Sequence, residues 1–299
     1  MTKNLLEIIH SGRILLADGA MGTELQKHGL TSNDCPEEFN ITRGEVVQAI
    51  YQAYYDAGSD LVETNTFGGT RPRLQKYGFE KRVKEFSRRS AQLAWEVCPA
   101  GKFVAGSVGP TGEIFEPLGT LSSSTAFDMF SEQAEALAEG GVDIIFVETM
   151  MAIEEAETAV LAAKRATNLP VSATMTFELN DSKAITSWGV DIPTAVERLQ
   201  QAGADLIGSN CGNGIAVIIQ AIKEMQALTK LPLVAQPNAG IPEIIAGRIH
   251  YHLEPEEIKK HVGELIRYRP GVLGGCCGTN PDYIRLLRPL VDAFNQRIQ

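Results

Sequence analysis

The chain has 299 residues, 44% of them hydrophobic and 21% charged, and it contains no linker-like tract, charge block or low-complexity segment, the balance of an ordinary soluble globule. A formal charge of −10 without a visible basic patch excludes phosphate-neutralising surfaces, so no nucleic acid is expected as a partner. The opening "TKNLLEIIHSGR" is too polar for an export signal, and no apolar run approaches a membrane span, so no membrane contact is expected.

Taken in chain order, apolar runs of one kind recur. They are "ILLADG" (14–19), "AGSDLVETN" (57–65), "FVAGSVG" (103–109), "GGVDIIFVET" (140–149), "VSATMTF" (171–177), "AGADLIGSNC" (202–211), "LVAQPNAG" (233–240) and "VLGGCCG" (272–278). The second, fourth and sixth share a phrase: small residues, an Asp, an apolar run and a polar end. That phrase reads as a helix-ending glycine, a short loop and a strand buried on both faces. Helical patterns lie between the runs, as in "EVVQAIYQAYYDAG" (45–58), "IEEAETAVLAAKRATN" (153–168) and "AVIIQAIKEMQALTK" (216–230). Eight such units in a chain of 299 residues predict an α/β fold, a closed (β/α)8 TIM barrel spanning 1–299 as a single domain. An open doubly wound sheet is disfavoured because no strand leads into GxGxxG and a helix. The βα loops after the first three strands look longest, roughly 19–44, 65–84 and 109–126.

Reacting groups in this fold sit at the carboxyl ends of the strands. The polar endings are Asp18, Asn65, Ser107, Glu148, Thr176, Cys211, Asn238 and the pair Cys276–Cys277. Side chains from the sixth and eighth strands can converge across the seventh, so three of the five cysteines are expected at one barrel mouth. Cys35 and Cys98 fall in a loop and at a helix end, outside the site. An odd cysteine count without an export signal points to a reducing cytoplasm, where clustered thiols serve as metal ligands or catalytic groups more often than as disulfides.

Three thiolates with one open position describe a catalytic zinc site rather than a closed structural one. Cys276 and Cys277 can both reach one ion only where the strand gives way to a turn, and Gly274, Gly275 and Gly278 supply the freedom for that turn. Such a site suits alkylation of a thiol better than hydrolysis by a bound water. The alternatives are buried small residues or a redox-sensing vicinal disulfide.

"GGCCGT", "SNCG", "LADGAMGTEL", "ETNTFGGTR", "GPTGE" and "PNAG" together resemble the homocysteine S-methyltransferase family. Within it they look closest to the homocysteine-binding barrel of cobalamin-dependent methionine synthase, over about residues 12–290. The resemblance implies an enzyme that methylates L-homocysteine to methionine, with one Zn2+ per chain held by Cys211, Cys276 and Cys277 and homocysteine sulfur as the fourth ligand. It also implies that Asp18 and Glu148 hold the amino group and that backbone amides at Gly19 and Ala20 face the carboxylate. A zwitterionic amino acid needs such a pairing of acid and N–H donors. Asn65, Thr66 and Asn238 read as loop-shaping residues, and His10, His28, His250, His252 and His261 as surface groups.

Methionine synthase carries folate, cobalamin and reactivation modules after this barrel, so the donor is expected from elsewhere. A methyl-corrinoid, free or on a separate corrinoid protein, is the first choice. S-methylmethionine, S-adenosylmethionine and betaine are the alternatives, although no betaine cage can be placed among Tyr51, Tyr54, Tyr55, Phe67, Phe115, Phe177 and Trp188. Two other classes stay open: a corrinoid-system methyltransferase using another thiol or a methylated catabolic substrate, and a non-enzymatic barrel that responds to thiols or metals.

Overall fold

The computed structural model describes residues 4–180, 183–240, 242–245, 248–251 and 255–298. The barrel strands are β1 (Leu15–Leu16), β2 (Leu61–Glu63), β3 (Phe103–Val108), β4 (Ile144–Met150), β5 (Val171–Met175), β6 (Leu206–Cys211), β7 (Leu233–Pro237) and β8 (Val272–Leu273). They pair in the order β1-β8-β7-β6-β5-β4-β3-β2, every ladder parallel. A parallel bridge between Ala17 and Leu61 joins β1 to β2 and closes the barrel, as the repeats predicted.

The shared phrase of the second, fourth and sixth strands has a physical function. Its aspartates, Asp60, Asp143 and Asp205, stand immediately before β2, β4 and β6. Each accepts the N–H of a residue at the start of the preceding odd strand: Leu16 at 2.9 Å, Val104 at 2.8 Å and Val171 at 2.8 Å. Each also donates its own N–H to that residue's carbonyl. This two-point clamp fixes the register of neighbouring strands at the floor of the barrel. The glycines Gly58, Gly141 and Gly203 that open the phrase have φ of +109°, +99° and +91°, the left-handed turn that ends each preceding helix.

Asp60 also pairs with Lys102 and with Arg288 Nη1 at 2.8 Å. Burial alone raises its pKa, but Arg288 and Lys102 outweigh burial and hold it below the usual carboxylate value. Asp60→Asn should therefore cost about 2–4 kcal/mol at neutral pH, because it leaves two partly buried cations short of a partner. The depressed pKa means this stability is present above about pH 4 and is lost as pH falls through the folded-state value. Urea melts of both proteins between neutral and strongly acidic pH should converge at the acidic end.

Side chains alternate across each strand, so one parity faces the barrel axis. Leu15, Leu61, Phe103, Ala105, Ile144, Phe146, Leu206, Val234 and Val272 fill the lower interior, with Leu5 and Ile9 beneath them. The opposite parity packs against the surrounding helices, for example Val104, Ile145 and Ile207. The three helical patterns appear as Gly44–Ala57, Ile153–Ala166 and Ile215–Leu228. Loops after β1 hold two short helices, Met21–Lys27 and Phe39–Thr42, and a 3-10 turn, Pro36–Glu38. Two antiparallel hairpins were not foreseen: Glu178–Asn180 with Lys183–Ile185 after β5, and Pro242–Ile245 with Arg248–Tyr251 after β7. Among the described residues no helix is long and apolar enough to cross a membrane.

Candidate active site at the barrel mouth

Continuing the inward parity upward gives the floor of a cavity. Two residues above Leu61 stands Glu63, two above Ala105 stands Ser107, and two above Phe146 stands Glu148. Asn210 lies four above Leu206, and Gln236 two above Val234. All five line a cavity of about 500 Å³ that opens at the carboxyl ends of the strands. The barrel interior thus changes from apolar to polar within one strand pleat.

Three thiols share the same cavity wall. The Sγ atoms of Cys211, Cys276 and Cys277 all lie within 4.8 Å of one another. Strand β8 ends at Leu273, so the vicinal pair sits on the turn beyond it, as expected. Cys276 N–H bonds to Pro237 O at 2.9 Å, and Ala239 N–H to Cys277 O at 3.0 Å, which ties this turn to the end of β7. Thr279 Oγ1 donates to Cys276 O at 2.7 Å and accepts from Ala20 N–H at 3.2 Å, joining the cysteine turn to the loop after β1. A Cβ on Gly19 or Gly275 would collide with that Thr279 hydroxyl, so both positions need glycine.

Cys211 has the wrong parity to face inward from β6. Its φ of +63° breaks the pleat and turns its sulfur toward Cys276 and Cys277. A left-handed non-glycine residue is costly and is held here by its surroundings. Asn238 Nδ2 donates to Cys211 Sγ at 3.6 Å and to Gly212 O at 2.9 Å. The Cys276 and Cys277 sulfurs that hydrogen-bond to Cys211 draw its thiol down to about 3, while Cys276 is pushed up by the same sharing. Tetrahedral zinc with Zn–S bonds of about 2.3 Å separates its sulfurs by about 3.8 Å, and the spacing of these three fits such an ion.

The barrel mouth also holds three carboxyls, Asp18 and Glu148 buried and Glu63 half-buried. Asp18, Glu63 and Glu148 are each raised above the ordinary carboxylate range, first by burial, with Glu148 adding charge repulsion on Asp18 and Glu63. Arg73 and Lys76 line the same cavity, but neither makes an ion pair with these carboxyls. Ser107 Oγ donates to Glu148 Oε1, and Gln236 Nε2 to Glu63 Oε1. Asn210 couples acids to thiols: its Nδ2 donates to Glu148 Oε2 at 3.3 Å and lies 3.8 Å from Cys276 Sγ, while its Oδ1 accepts from Thr149 N–H at 2.9 Å.

Glu148, Gly19, Ala20 and the three cysteines all line the cavity, whereas Asp18 does not. Asp18 is 1% exposed and accepts Glu63 N–H at 3.0 Å from behind, so it acts on the cavity through its charge. Glu63 and Asn210 went unnoticed in the sequence. Both stood one or two residues before the polar endings, where inward parity would have found them. Asn65 donates to Pro36 O at 2.7 Å and to Asn40 Oδ1, and Thr66 donates to Ser107 O at 2.7 Å, both shaping loops. Thr176 lies just past β5, its hydroxyl on Asn210 O at 3.2 Å. Of the candidate aromatics only Phe67 reaches the cavity, joined by Tyr77. His10 is exposed and His252 lies outside the described residues.

A closed α/β barrel that gathers three thiols and the carboxyls of Glu63 and Glu148 at its mouth defines a recognisable class. The chain belongs to the homocysteine S-methyltransferase family, whose model matches residues 15–291. Methionine synthase of Mycobacterium leprae is 33% identical over 310 residues, covering 98% of this chain. That of Mycobacterium tuberculosis is 33% identical over 300 residues, covering 94%. The chain spans 25% of the length of each of these relatives. The crystal structure of the homocysteine methyltransferase MmuM from Escherichia coli in its metallated form superposes with a TM-score of 0.80 at 24% identity, covering 96% of this chain and 100% of that one. Its oxidized form gives 0.79 at 25% identity, with the same coverage.

Proposed function

We propose that this chain transfers a methyl group to the thiol of L-homocysteine, giving methionine, with one zinc ion held by Cys211, Cys276 and Cys277. The observation that carries the reading is the placement of three mutually close sulfurs and the carboxyls of Glu63 and Glu148 on one cavity. A ligand with a thiol at one end and an ammonium at the other satisfies both. Zinc, when bound, keeps an incoming thiol deprotonated at neutral pH. Glu63 and Glu148 face the ammonium, and Asp18 adds its charge from behind. Gly19 and Ala20 line the side where the substrate carboxylate lies, although Ala20 N–H also serves Thr279.

The donor proposed is a methyl-corrinoid, free or on a separate corrinoid protein, in keeping with the identity to methionine synthases. Zinc-loaded protein should convert L-homocysteine to methionine with methylcobalamin faster than with S-methylmethionine, S-adenosylmethionine or betaine, followed by mass spectrometry. Turnover with S-methylmethionine alone would move the donor assignment, and methylation of other thiols but not homocysteine would move the acceptor. A metal-free protein with no transfer to any thiol would favour the non-enzymatic reading.

A further inference from the structure

A second cavity, of about 340 Å³, opens at the opposite end of the barrel, where the chain enters β1, β7 and β8. That volume lies within the ~300–1,000 Å³ range of small-molecule pockets. Its wall includes Arg13, Lys230, Arg269 and His10, and no Asp or Glu. In a chain with 37 acidic and 27 basic side chains, an acid-free concave site with three cationic side chains is against the trend of the molecule. We infer that this floor cavity is an anion site that takes a small phosphorylated molecule, separate from the thiol chemistry at the mouth.

Two further observations point the same way. Arg13 Nε is buried and has no hydrogen-bond partner among the described residues. A buried guanidinium N–H left unpaired is costly, and an anion oxygen is its natural acceptor. The side chains of Lys230 and Arg269 likewise make no hydrogen bond or ion pair with any described residue.

Arg269 is the other observation. It follows the helix Pro255–Arg267 and has φ of +51°. At the corresponding turns before β2, β4 and β6 the left-handed residue is glycine: Gly58, Gly141 and Gly203. The turn into β8 places an arginine where glycine is cheaper by backbone strain, and the guanidinium it gains lines the floor cavity. Cations near helix C-termini ordinarily serve the last carbonyls. Here Gln226 Nε2 donates to Tyr268 O at 2.8 Å, beside Arg269.

The test is calorimetric titration of the zinc-loaded full chain with glycerol 3-phosphate and with inorganic phosphate, using glycerol and sodium sulfate as controls. Saturable binding of glycerol 3-phosphate with a Kd below about 1 mM is expected, weakening as sodium chloride is raised. Lys230→Gln, Arg13→Gln and Arg269→Gly should each weaken it about tenfold or more. Zinc content and methyl transfer should stay unchanged in all three. Arg269→Gly should also melt at a higher temperature than the parent when no anion is added, because the left-handed turn then carries glycine. Equal binding of inorganic phosphate would narrow the site to the phosphate group itself. Non-saturable heats, stabilisation by sulfate to the same degree, or unchanged affinity in the exposed Lys230→Gln variant together with Arg269→Gly would overturn the assignment.

Discussion

Replacement of Cys211, Cys276 or Cys277 by Ala, one at a time, is expected to remove zinc and methyl transfer together. Removing one of three thiolates should weaken zinc by far more than the ~10–100-fold typical of losing a group that only orients a ligand. The fold should survive, since each sulfur is only half-buried and stands beyond the packed lower interior of the barrel. Cys35→Ala and Cys98→Ala provide the contrast. Burial, with the Glu37 carboxylate beside it, pushes the Cys35 thiol up to about 12, and burial raises Cys98 as well. Neither is disposed to ionise, and neither belongs to the sulfur cluster. Metal analysis of the purified proteins decides the matter before any assay: full zinc retention in Cys277→Ala would end the thiolate reading.

The barrel was legible because its strands are buried on both faces and announce themselves as apolar runs, and because the Gly–Asp phrase marks the entry to the second, fourth and sixth strands. The metal candidates were legible from chemistry, three thiols at the ends of the sixth and eighth strands, on either side of the seventh. What stayed hidden depends on direction. The sequence reading took the last polar residue of each run, whereas side-chain parity sends Glu63, Asn210 and Gln236 into the cavity and leaves Asp18 behind it. Cys211 shows the opposite failure. Parity alone would have pointed its sulfur at the helices, and only a left-handed backbone at a non-glycine residue, which no residue type advertises, turns it inward. The floor cavity was equally silent, since Arg13, Lys230 and Arg269 are scattered along the chain and meet only when the barrel closes.

Recognition of the amino acid rather than the thiol rests on the acids. Glu148→Gln and Glu63→Gln should each weaken L-homocysteine on the order of 2–4 kcal/mol, the cost of removing one partner of a buried charge pair. Asp18→Asn should cost less, because Asp18 reaches the ligand only through its charge and Asn retains an acceptor for Glu63 N–H. None of the three should change zinc content. 4-Mercaptobutyrate, which keeps thiol and carboxylate but lacks the ammonium, should bind the Gln variants as well as or slightly better than the parent. The pH dependence carries a separate signature. All three acids have folded-state pKa values above their unfolded ones, so their contribution to stability falls as pH rises from about 4 upward. A bound ammonium lowers those values and relieves the loss, and 4-mercaptobutyrate cannot. The melting-temperature gain from homocysteine should therefore outgrow that from 4-mercaptobutyrate as pH is raised, and the divergence should shrink in Glu148→Gln. If both thiols lose affinity equally in the Gln variants, the acids support the barrel mouth without reading the substrate, and a wider range of thiol acceptors becomes the better account of the site.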